Sequence, residues 1–316
     1  MRLVPHHSSC CEAELRAFLL IIVFVAFASL APTAQAKVTL LAPGTDVIQA
    51  ALDGSASADT VLLAPGHYFD SVSLVFRNGV TVRSIAGPEQ TIVDLQYNFG
   101  SVIYVNGAQP APTIEGLTLE RGAAVSSTGG GILCTGSSPN ILGNLILGCE
   151  ATNLEGVGGA GGGIAVFGGA PLIRNNTIVG NLAGAGGIYL EQSAATVDHN
   201  VIAYDAALDT ASAEGYGLVC AGSSGTSVHD NMFWANHPDQ TYGSCAGLDT
   251  GNNITLDPEF CRPAYAVQAG QADWRVRADS PLAPGHAYFG WGAAVSTCST
   301  TDARSTSWGR LKATYR

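Results

Sequence analysis

Positive charge is scarce in this sequence of 316 residues. Lysine and arginine together number 14 against 25 aspartates and glutamates, a formal net charge of −11. A chain this acidic lacks the basic footprint that a phosphate backbone demands, which argues against nucleic acid as a partner. Cysteines at C-x-x-C spacing are missing too, and with them the usual framework of a zinc site. Beyond residue 30 there is no further long apolar run, so no integral membrane span is expected once the N-terminal segment is removed. Glycine is plentiful, at 39 residues, yet it lacks the every-third-residue period of collagen. Nothing between residues 38 and 298 reads as a linker, so residues 37–298 are expected to form one domain.

The one long apolar run, residues 18–30, follows Arg16 and precedes Pro32 and the small-residue pattern Ala34-Gln35-Ala36. It falls short of the roughly 20 residues needed to cross a bilayer and leads directly into an Ala-x-Ala site. Residues 1–36 therefore read as an export signal cleaved after Ala36, and the mature protein is expected to be secreted or held in the cell envelope. Cleavage removes Arg2, Arg16, Glu12 and Glu14, two charges of each sign, so the net charge stays at −11. Cys10 and Cys11 leave with the signal, and Cys134, Cys149, Cys220, Cys245, Cys261 and Cys298 remain. An even number in an exported chain permits disulfides, with buried thiols as the alternative.

The rest of the chain repeats itself. Residues 114–122 (IEGLTLERG), 141–149 (ILGNLILGC), 173–181 (IRNNTIVGN), 197–205 (VDHNVIAYD) and 228–236 (VHDNMFWAN) share a β-branched first residue and an apolar sixth, and four of them have asparagine fourth. A second element, led by Ile132, Ile164, Ile188 and Leu218, precedes the next nonamer by nine, nine, nine and ten residues. The variation in length is thus confined to the stretch after each nonamer: 120–128, 149–160, 181–184 and 205–215. Short alternating runs of Ile, Val and Leu punctuated by Gly, Asn and Ser read as strands. A repeat a little under thirty residues long with three such strands is the coil of a solenoid, stacked as parallel β-structure. The glycine pattern Gly156-x-Gly158-x-x-Gly161 matches a dinucleotide fingerprint only on paper, because the strand-forming IAVF follows where a helix is required.

These residues resemble the right-handed parallel β-helix proteins of the pectate-lyase-like superfamily, and more narrowly its exported bacterial repeat proteins. Residues 46–70 (DVIQAALDGSASADTVLLAPGHYFD) look like the amphipathic helix, entry strand and Pro-Gly turn that begin such a helix. Residues 252–287 look like its terminal segment, so a C-terminal cap is expected from about residue 244. The resemblance implies an all-β solenoid with a short N-terminal capping helix and a polysaccharide groove on the loop-bearing edge. It does not carry over an activity. The Asn-Thr-Asp, paired Asp, Gly-His-Gly and Arg-Ile-Lys motifs of the pectin hydrolases are missing, as is the Arg-x-Pro-x-x-Arg pattern of pectate lyases.

Stacking makes columns of equivalent residues. Leu119, Ile146, Ile178, Ile202 and Phe233 form one inward column, and Ile132, Ile164, Ile188 and Leu218 another. Cys134, Val166, Leu190 and Cys220 form a third. Cys134 and Cys220, three rungs or roughly 14 Å apart, then read as buried thiols, and one pair is expected among Cys245, Cys261 and Cys298. Asn144, Asn176, Asn200 and Asn231 should stack as a structural ladder at a bend. The sequons Asn175-Asn176-Thr177 and Asn253-Ile254-Thr255 are then incidental. Arg174, Asp198 and His229 share a position that would give a charge-paired surface ladder.

The expected ligand-binding set is Phe167, Tyr189 and Glu191 on the strand face, with Glu150, Asn153, Glu155, Asp205, Asp209 and Tyr216 alongside. Aromatic faces beside carboxylates suit sugar rings. Glu120 and Arg121 lie in the same edge. Glu191 with Asp205 or Glu214 could supply the carboxylate pair that glycoside hydrolysis requires, although nothing singles them out. Ca²⁺ is the one cofactor such an edge could take, but no compact Asp-rich motif sets its coordination. The expectation is a glycan-binding β-helix, with a polysaccharide lyase or glycoside hydrolase and a structural surface spacer as alternatives. Residues 299–316, Ser/Thr-rich and then basic, read as a separate tail.

Overall fold

Short apolar strands separated by left-handed corner residues wind this chain into stacked coils. A computed structural model describes residues 35–125, 128–152, 159–207, 216–237, 239–243, 245, 251–264 and 272–298. The expected signal and the tail lie outside them, apart from Gln35 and Ala36. Successive coils lay their strands into three long parallel sheets. Sheet A has eight strands, from Val38–Leu41 to Ser227–His229, and sheet B has eight, from Gly66–Phe69 to Ile254–Thr255. Sheet C has seven, from Leu74–Phe76 to Asp239–Gly243.

The columns expected from the repeats are in register. Ile132, Ile164, Ile188 and Leu218 pair in turn, as do Cys134, Val166, Leu190 and Cys220. Leu119, Ile146, Ile178, Ile202 and Phe233 do the same in sheet B. All are buried in one continuous core, where each large aliphatic side chain contributes roughly 1.5–3 kcal/mol. The helix Val47–Asp53 adds Ile48 and Leu52 to that core at the N-terminal end.

Most corners share one device: a residue in the left-handed region, then a small or polar residue, several of which cap the coil beside them. Between sheets A and B the left-handed residues are Gly116, Gly143, Asn175, His199, Asp230 and Asn252. The asparagines that follow form the expected ladder. The backbone N–H groups of Asn144, Asn176 and Asn200 donate to the Oδ1 atoms of Asn176, Asn200 and Asn231 at 2.9, 2.9 and 3.0 Å. The ladder has a fifth member, because Asn231 donates to Asn253 Oδ1 at 3.0 Å, so the second sequon is also scaffold. At the corner after sheet C, Gly136, Gln192 and Gly222 are left-handed and Ser137, Ser193 and Ser223 follow. There Ala108 N–H donates to Ser137 Oγ and Ser193 N–H to Ser223 Oγ, each at 3.1 Å.

Two features depart from expectation. The variable stretches after the nonamers are not simply loops, for Ala123–Val125, Glu150–Thr152, Leu182–Ala183 and Ala206–Ala207 pair into a fourth parallel sheet, D. The C-terminal residues form a strap along the outward flank of sheet B where an end cap was expected. Phe260, Trp274, Val276, Leu282 and Ala293 pack there against Leu145, Leu147, Val179, Val201 and Met232. Ala293 N–H donates to Thr177 Oγ1 at 3.0 Å, and Ser296 Oγ reaches Glu89 at 2.9 Å. From Leu145–Leu147 to Met232–Trp234 sheet B is largely apolar on both faces and so must be covered on both. The outward Leu145, Leu147, Val179, Val201 and Met232 carry that signal in the sequence. The described residues from Lys37 onwards belong to one compact unit.

The cysteines follow the same geometry. Cys220 is not a thiol, since it is disulfide-bonded to Cys245, while Cys261 and Cys298 form the pair expected near the C-terminus. Cys220 ends its column beside the last coil, within reach of Cys245, with Cα atoms 5.8 Å apart. Cys134 and Cys149 remain buried thiols, and burial pushes each up to about 12, which keeps them unreactive.

Candidate functional site

Strand alternation turns every second residue of sheet C outward. One outward column runs Val75, Tyr104, Leu133, Ala165, Tyr189, Val219 and Tyr242, and the next includes Asn106, Thr135, Phe167, Glu191 and Ala221. Three residues of the expected ligand set converge here. The rings of Phe167 and Tyr189 lie 5.8 Å apart, inclined at 45°. Glu191 pairs in register with Phe167, and the Tyr189 hydroxyl donates to its Oε2 at 2.9 Å. Tyr216, at the start of the next strand, stacks on Tyr242 with centroids 5.0 Å apart. Tyr242 was not in the expected set, although it repeats the Tyr189 position two rungs on and is 55% exposed.

Asp205 does not belong to this site. It is the ninth residue of its nonamer, where Cys149, Asn181 and Asn236 are its equivalents, and its side chain is fully buried. Cys149 N–H donates to Asn181 Oδ1 at 3.0 Å, Asn181 N–H to Asp205 Oδ1 at 2.8 Å, and Asp205 N–H to Asn236 Oδ1 at 3.0 Å. Asp205 is therefore a rung of a second ladder, with neither the exposure nor the orientation to act as an acid or to grip a ligand. The column is written in the repeats, but cysteine and aspartate among its asparagines disguise it. A Cβ on Gly187 would collide with the Asp205 carboxyl, which accounts for glycine there. Asn153, Glu155, Asp209 and Glu214 lie outside the described residues.

Glu150 begins a strand of sheet D, half-buried, and burial raises its carboxyl above the usual range. One rung away a second polar group assembles. Arg121 donates from Nε to Asp94 Oδ1 at 2.9 Å and closes the pair through Nη2, and its Nη2 lies 3.4 Å from Glu120 Oε1. Burial, aided by the Asp94 charge, raises Glu120. Burial and then the Glu150 charge raise the Tyr97 phenol, and Tyr97 N–H donates to the Arg121 carbonyl at 2.7 Å. The repeat pattern marks Glu120 and Arg121, whereas Asp94 and Tyr97 precede the recognisable nonamers.

The expected Arg174, Asp198 and His229 surface ladder is only partly formed. Arg174 Nη2 lies 2.7 Å from Asp198 Oδ2, but Asp198 is buried and its other partner is His199, at 3.2 Å. His229 turns to Asp230 at 2.8 Å. Among the described residues no three His, Cys, Asp or Glu side chains converge as a metal site, and no helix is long and apolar enough to cross a membrane.

Residues 78–257, more than half of the chain, match the family described as the right handed beta helix region. No curated protein matches the chain. The family match and the three stacked parallel sheets agree, and the chain belongs to the right-handed β-helix family.

Proposed function

We propose that this is an exported β-helix protein that binds polysaccharide across the outward face of sheet C without cleaving it. The observation that carries the reading is the grouping of Phe167, Tyr189 and Glu191 on a regular parallel face, continued by Tyr216 and Tyr242. Aromatic rings offer flat apolar area to the C–H faces of sugars at little entropic cost, and the carboxylate accepts from hydroxyls. The apolar run 18–30 with Ala34-Gln35-Ala36, and two disulfides, support export. Affinity electrophoresis of residues 37–316 against a panel of neutral, acidic and amino polysaccharides tests the reading. Retention on at least one, weakened about tenfold by Tyr189→Ala, is expected. No retention on any would leave the spacer role.

A second reading, hydrolysis, is favoured by one observation: Glu120 lies 3.4 Å from the Arg121 guanidinium, and half-buried Glu150 begins the adjacent strand of sheet D, paired with Ala123. Glycosidases need one protonated and one ionised carboxyl. New reducing ends that disappear in Glu120→Gln would establish this reading over the first.

A further inference from the structure

We propose that the polymer recognised on sheet C is one whose sugars carry free amino groups. This inference rests on the glycan-binding reading and names the ligand class for the same face. Phe167 and Tyr189 form a corner of two rings 5.8 Å apart at 45°, and aromatic faces attract cations through their negative quadrupole. Glu191 stands in that corner as the counter-charge, one strand from Phe167 in register. The Tyr189 hydroxyl fixes its Oε2, while Oε1 accepts from no described residue and is left to the ligand. An ammonium placed here meets two π faces and a carboxylate together. A neutral sugar uses only the rings and a hydroxyl acceptor.

The surroundings select the same sign. Neither outward column of sheet C contains a lysine or arginine within its strands. The nearest cation along the sheet, Arg77, lies just past Leu74–Phe76, four rungs from Glu191, roughly 19 Å at the usual strand spacing. That exceeds twice the Debye length of about 8 Å at physiological ionic strength, so Arg77 does not offset Glu191. A uronate polymer would set its carboxylates against Glu191. Tyr242, two rungs beyond Tyr189, stacks on Tyr216 of the intervening strand and provides a second aromatic platform for a sugar further along the same chain.

Titration calorimetry of residues 37–316 at mildly acid pH and low salt tests this with glucosamine oligomers, fully N-acetylated oligomers of the same length and oligogalacturonate. Glucosamine oligomers are expected to bind at least about fivefold more tightly than either. Glu191→Gln, with an unchanged thermal midpoint, should abolish the preference. Asp53→Asn removes an exposed carboxylate on the capping helix and should leave the preference intact. Equal or tighter binding of acetylated or uronate oligomers overturns the inference while the glycan-binding reading stands. A preference that survives Glu191→Gln, or that Asp53→Asn lowers equally, reduces it to diffuse attraction by an acidic protein and overturns it. No binding by any oligomer, with no retention in the polysaccharide panel, overturns both.

Discussion

In the second ladder Asn181 and Asn236 each use Nδ2 to donate to a backbone carbonyl, those of Ile146 and Ile202, at 3.1 and 2.9 Å. The equivalent partner of Asp205 is the carbonyl of Ile178, and a carboxylate has no proton to offer it. Oδ2 of Asp205 has no hydrogen-bond partner among the described residues, and burial raises its pKa well above the ordinary value, against the opposing donors of Asn181. A protonated carboxyl restores the missing donor and makes Asp205 a stand-in for asparagine. The unfolded chain ionises near pH 4 while the folded one holds the proton, so this stability is complete below about pH 4 and is lost as pH rises towards the folded pKa. Asp205→Asn should raise stability at neutral pH by about 1–3 kcal/mol and flatten the pH dependence, read from urea unfolding between about pH 4 and 8. Asp70, pushed up to about 7 by burial and then by Asp46, contributes with the same sign. Its share is lost as pH rises through about 7, so the Asp205 variant is best compared in an Asp70→Asn background. A destabilised Asp205→Asn protein with an unchanged slope would show the carboxylate to be ionised in the fold.

At the scale of elements, the strap and the corners do different work. The corners satisfy backbone groups that the parallel ladders leave open, and they repeat because coils repeat. The strap is made once. Its rings interlock, with Phe260 and Trp274 edge to face at 5.2 Å and Tyr204 of the nonamer corner 5.9 Å from Trp274. The Cys261 to Cys298 disulfide closes a stretch separated by 37 residues over the apolar flank of sheet B. Replacing both cysteines with serine should cost about 2–4 kcal/mol of stability, because the unfolded chain regains the entropy of that loop. Hydrophobic dye binding should increase as Leu145, Val179 and Val201 become accessible, and glycan binding on sheet C should persist. Denaturant titration and dye fluorescence read the first two. An unchanged midpoint would mean that side-chain packing alone holds the strap.

Across the whole molecule each coil contacts chiefly its two neighbours, so stability is approximately a sum of coils and their interfaces. Inner coils are paired on both sides, whereas Val38–Leu41 and Asp239–Gly243 stand at the ends of their sheets. Hydrogen exchange should therefore be slowest in the strands Asn140–Leu142, Leu145–Leu147 and Thr177–Val179, and fastest in the terminal strands. Equal protection along the stack would show one all-or-none unit instead.

The repeats alone determined the β-helix, its inward columns and the asparagine ladder, because a side chain whose neighbours are its own equivalents one coil away is specified by local pattern. They also marked Phe167, Tyr189 and Glu191 as outward neighbours. Tertiary structure decided what repetition cannot express. Ala293 meets Thr177 across 116 positions, and Ser296 meets Glu89 across 207, contacts made once that leave no period to read. Cys220 found Cys245 because the column ends there, and Asp205 moved from the candidate site into the scaffold. Its charge suggested chemistry in sequence, but burial between two asparagines makes it a hydrogen-bonding link.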